Sequence, residues 1–81
     1  MSEMEWMRIF KDNLRDILKE IGMTPKEFAE ESGLTVQSIY RYLNGERMPT
    51  LTAILKMYYV LSGYPINLTL EDFIFFGDTI N

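Results

Sequence analysis

TPKEFAEESGLTVQSIYRYLNG, residues 24–45, reads as two short helices joined by a tight turn. Thr24 offers a hydroxyl to cap the first helix, Pro25 suits its first turn, and Glu27 completes the T-x-x-E pattern of a capping box. Gly33 follows Ser32 at the place where a helix end calls for a left-handed residue. Thr35 opens a second helix just beyond it, and Asn44-Gly45 closes that helix. With Ile39 as centre and roughly 100° per residue, Thr35, Tyr42 and Leu43 fall on its side of the second helix. Gln37 and Arg41 fall opposite, flanked by Ser38 and Tyr40, and Val36 sits on the border.

Helices this short and this closely joined have the shape of a helix-turn-helix. An amide and a guanidinium on the outer face of the second one can reach base edges in a DNA major groove. Gln suits adenine and Arg suits guanine, because each offers a two-pronged hydrogen-bond pattern. The same residues would also serve as plain solvated surface; the turn signals around them favour readout. The pattern F-A-x-x-S-G-L-T-x-x-S-I-x-x-x-x-N-G-x-x-x-P is carried by Phe28, Ala29, Gly33, Leu34, Thr35, Ser38, Ile39, Asn44, Gly45 and Pro49. It resembles the Cro/CI or XRE type of helix-turn-helix, the lambda-repressor-like domain of phage repressors and small bacterial regulators. The resemblance extends less sharply from Phe10 to Leu61.

That resemblance implies an all-α, compact bundle of about five helices and a sequence-specific transcriptional regulator of double-stranded DNA, a repressor above all. On the matching positions it implies base reading by Val36, Gln37 and Arg41. Thr24, Lys26, Thr35, Ser38, Tyr40, Asn44 and Arg47 would line the groove or meet phosphate. Three positions depart from the pattern. Where many relatives pair a buried arginine with a glutamate, this chain has Leu18 and Leu43, so an apolar contact is expected in place of the ion pair. Where relatives anchor a phosphate with glutamine, Pro25 stands and cannot, so that contact is lost or supplied by neighbours.

Outside the motif, residues from about Glu5 to Ile21 carry apolar side chains at helical spacing, with Arg8, Lys11, Asp12, Arg15, Asp16, Lys19 and Glu20 between them. Thr50 caps a further helix to about Ser62, with Leu51, Ile54, Leu55, Tyr58 and Leu61 as its expected inward stripe. Thr69 with Asp72 opens a short last helix over 70–76. Its Phe73, Phe75 and Phe76 are expected either to wrap around Trp6 and the first helix or to form a dimer face, and the dimer is the reading preferred here.

Eighty-one residues allow one domain with one core, so residues 1–81 are read as a single unit. The chain has no cysteine and no histidine, which removes disulfides, thiolate metal sites and the usual general base. No Gly-rich phosphate cradle appears, so no catalytic residue, metal or cofactor is assigned and an enzyme is not expected. Nothing points to a small-molecule ligand. No apolar run reaches membrane-span length and the acidic start is wrong for a signal peptide, which fits a cytoplasmic protein. The net charge of -4 is awkward for DNA binding. Between residues 6 and 70, however, eight basic residues face seven acidic ones, so the body is about neutral. Weak, salt-sensitive binding by a monomer follows. The alternative is a protein-binding module, an antitoxin or anti-repressor, using its acidic surface on a basic partner.

Overall fold

Hydroxyl residues start all five helices described here. In the computed structural model, which describes residues 1–75 except for the side chain of Phe75, these are α1 (Glu3–Ile21), α2 (Pro25–Ser32), α3 (Val36–Leu43), α4 (Leu51–Leu61) and α5 (Leu70–Phe75). The hydroxyls of Ser2, Thr24, Thr35, Thr50 and Thr69 accept from the amides of Glu5, Glu27, Ser38, Ala53 and Asp72 at 3.0–3.2 Å. Each such cap is worth on the order of 1 kcal/mol. The cap at Ser2 starts α1 two residues before the expected Glu5.

The turn between α2 and α3 rests on Gly33, whose φ of +73° is left-handed. Both the Gly33 and the Leu34 amides donate to the Ala29 carbonyl, at 3.0 and 3.1 Å. A Cβ at Gly33 would meet nothing within 4 Å, so the need for glycine there is conformational rather than steric.

α2 packs on both α3 and α4, α1 packs on α3, and α5 closes on α4. The centre is filled by Phe10, Leu14, Phe28, Ile39, Met57, Leu61 and Phe73, all fully buried. Leu18 and Leu43 are both buried in this core, so the site of the family's ion pair is apolar here.

Two expectations are corrected. α4 turns a different face inward: Ala53, Ile54, Met57, Val60 and Leu61 are buried, whereas Leu51 and Leu55 are 67% and 45% exposed. The true stripe is rotated by about one residue, roughly 100°, from the expected one. An apolar line of Leu51, Leu55 and Tyr59 is left on the outer face, with Tyr59 80% exposed.

The second concerns Phe73, whose ring is buried within the single chain and follows the expected wrapping toward the first helix. Its ring sits edge-on to Phe10 with centroids 5.2 Å apart and tilts against Tyr58 at 6.2 Å. Trp6 stacks on Phe10 at 4.7 Å, and its indole Nε1–H donates to the Ile74 carbonyl at 2.9 Å. The first and last helices therefore share one aromatic cluster, which draws Phe73 out of solvent. Phe76 and the end of the expected 70–76 helix lie outside the described residues, as does the side chain of Phe75.

Candidate nucleic-acid interface

α3 presents its polar face because its other face is spent on the core. Ile39, Tyr42 and Leu43 are buried against α1 and α2. Val36, Gln37, Tyr40 and Arg41 are exposed, with Gln37 and Arg41 one turn apart on the same outward side. Eight residues make a rod of about 12 Å, short enough to lie in a major groove of similar width. Thr35, expected on the inward side, is exposed: as the cap it stands outside the helix, and its hydroxyl donates to Ser38 Oγ at 2.9 Å. Ser38 is half-buried and tied to that cap.

At the far end of α3, Asn44 is exposed and Arg47 projects from the following loop, also exposed. Sequence reading missed a third participant. Arg15, on α1, donates through Nε to the Leu43 carbonyl at 2.7 Å and through Nη2 to Asn44 Oδ1 at 2.9 Å. The guanidinium thus caps the C-terminus of α3, where a cation is favourable. It also engages the Asn44 carbonyl oxygen, which leaves the Asn44 NH2 group as the donor available to a ligand. No local spacing signals a contact between residues 28 and 29 positions apart.

The start of α2 is electrostatically different from what its place in the motif suggests. The capping box is complete: Thr24 N donates to Glu27 Oε1 at 3.0 Å, and Glu27 N donates to Thr24 Oγ1 at 3.1 Å. The Thr24 backbone and side chain hold the Glu27 carboxyl below its ordinary 4.5, so it is firmly anionic at neutral pH. A carboxylate therefore already occupies the positive end of α2 and supplies its acceptor. Lys26, exposed beside it, is the cation left at this end. Gln37, Arg41, Asn44 and Arg47 gather around the exposed side and end of α3, while Thr24 and Lys26 belong to the start of α2.

Among the described residues, no group of carboxylates could hold a metal ion, and no helix is long and apolar enough to cross a membrane.

The helix-turn-helix family matches this chain over residues 14–57, from the middle of α1 to the middle of α4. Over 49 residues the chain is 41% identical to an uncharacterized HTH-type transcriptional regulator of Methanocaldococcus jannaschii. That alignment covers 58% of this chain and 28% of the relative, so the chain spans well under a third of that protein's length. No solved structure matches.

Proposed function

The chain belongs to the XRE-type helix-turn-helix family, and we propose that it is a sequence-specific regulator of double-stranded DNA, acting as a repressor. α3 enters the major groove. Arg41 pairs with guanine and Gln37 with adenine, while Val36 touches a thymine methyl. Ser38 and Tyr40 border the groove. Thr24, Lys26, Thr35, Asn44 and Arg47 face the sugar-phosphate backbone and set the register. The observation that carries this reading is the pairing of an exposed Gln37–Arg41 face with a fully buried Ile39 on the same short helix.

A two-fold dimer belongs to the proposal, since half-sites one DNA turn apart demand it. With Phe73 taken into the core, a contiguous exposed apolar surface among the described residues that could meet a second copy is the Leu51–Leu55–Tyr59 line on α4. The same line favours the second reading, a protein-binding module. Selection from a random-site duplex pool separates the two. The proposal requires an enriched sequence whose recognition Arg41→Ala relaxes at one position, by about 1–3 kcal/mol. Absence of any enriched duplex, with Leu55→Asp abolishing the biological effect and Arg41→Ala leaving it intact, selects the protein partner.

A further inference from the structure

A chain of net charge -4 whose α2 terminus holds its own carboxylate has few cations at the motif beyond Lys26, Arg41 and Arg47 with which to grip phosphate. α1 holds others. Taken at roughly 100° per residue from Arg8, Lys11 falls at about −60°, Arg15 at −20° and Lys19 at +20°, one sector some 80° wide. Half of the eight basic residues of the chain lie in it. The acidic residues of the helix body, Asp12, Asp16 and Glu20, fall in the adjoining sector, from about +40° to +120°. The buried Leu18, at about −80°, borders the basic sector on its other side. Charge on α1 is thus segregated, with the positive flank next to the edge that meets α3.

Three contacts place that flank against the end of the recognition helix. Arg15 donates to Leu43 and Asn44. The Lys11 stem passes so close to Gly45 that a Cβ there would stand 3.1 Å from its Cδ. Arg8 and Lys11 line one recess together with Asn44 and Gly45, with Glu5 and two methionines, Met4 and Met7, also lining it, so two cations there face one carboxylate. From Arg8 to Lys19 the strip runs about 16 Å, a length over which a DNA strand presents several phosphates.

We propose that this strip on α1 is a phosphate-binding surface, continuous with Asn44, that tracks the DNA backbone beside the groove occupied by α3. The proposal rests on the DNA-binding reading above. The strip adds to the backbone contacts of Lys26 and Arg47, where Pro25 and the Glu27 carboxylate weaken the α2 terminus, and it reads no sequence.

The test is fluorescence anisotropy on the full chain with two duplexes, one selected from a random pool and one scrambled, across roughly 50–200 mM salt. The variants are Arg8→Gln/Lys11→Gln, which leaves Arg15 in place, and Lys56→Gln on the exposed side of α4. The double variant is expected to lower the slope of log K against log salt by about 1.8, at about 0.9 per phosphate contact, equally on both duplexes. Lys56→Gln is expected to leave the slope unchanged, and Arg8→Lys/Lys11→Arg to restore it. If the double variant does not fold, each single change is expected to lower the slope by about 0.9. An unchanged slope in the α1 variants, or an equal loss in Lys56→Gln, overturns the strip while leaving the DNA reading standing. A wild-type chain that binds neither duplex at low salt overturns the DNA reading itself, and the strip with it.

Discussion

Replacing Arg15 with methionine keeps most of the aliphatic stem and removes both hydrogen bonds that the guanidinium makes to Leu43 and Asn44. Bonds of 2.7 and 2.9 Å from a cation lie in the charge-assisted range. A buried pair of that kind would contribute about 1.5–3 kcal/mol per bond. Arg15 is exposed, however, and water can replace both bonds, so about 0.5–1 kcal/mol each is the appropriate figure. Loss of the cation at the C-terminus of α3 adds about 0.3–1 kcal/mol. The expected total is about 2 kcal/mol in urea unfolding, a fall in Tm on the order of 10 °C for a domain this small. Arg15→Lys should lose about half of that, because an ammonium does not reproduce the two-pronged geometry. A double-mutant cycle with Asn44→Ala should return a coupling of about 0.5–1 kcal/mol. Arg15→Met within about 0.3 kcal/mol of wild type, with no coupling to Asn44, would refute the claim that α1 holds the end of α3.

Phe73→Ala should destabilise the single chain by about 3–5 kcal/mol, because a fully buried ring against Phe10 and Tyr58 is lost. Urea unfolding at two protein concentrations checks this; an effect seen only in oligomeric state would restore the dimer face. Gly33→Ala should cost about 1–2 kcal/mol through left-handed strain alone, since the added methyl meets no neighbour. Glu27 has a depressed folded-state pKa, so its contribution to stability is complete above pH 4.5 and fades as pH falls through the lower folded value. Acid unfolding of Glu27→Ala should therefore show a weaker dependence on pH in that window than wild type, and an identical profile would sink the capping-box assignment.

The helix pair at residues 24–45 was legible because every boundary carries a residue with a local job: hydroxyl caps at Thr24 and Thr35, a reciprocal carboxylate at Glu27, a left-handed stop at Gly33. The polar face of α3 was legible for a similar reason, since Gln37 and Arg41, four residues apart, fall opposite the apolar Ile39 and Leu43. α4 was not. Its sequence, LTAILKMYYVL, is apolar nearly all round, so large residues such as Leu51 and Leu55 drew the expected stripe toward themselves. The core took the smaller Ala53 and the adaptable Met57, which fit beneath α2. The role of Phe73 depended on Phe10 in the first helix, and that of Arg15 on a carbonyl 28 residues away. Contacts of that range leave no periodic trace in a single sequence.

The bond from Trp6 to Ile74 ties together positions 68 residues apart. Closing a flexible loop of that length carries an entropic cost of about 4 kcal/mol, beyond a constant, against one hydrogen bond and a shared ring cluster. That cost falls once α1 to α4 have gathered, so the seal between Trp6 and Ile74 is expected to form late in folding. Trp6 is the sole tryptophan of the chain. Its indole meets both Phe10 and the Ile74 carbonyl, so a stopped-flow trace of its emission beside a far-ultraviolet signal is expected to show whether α5 docks with α1 to α4 or after them.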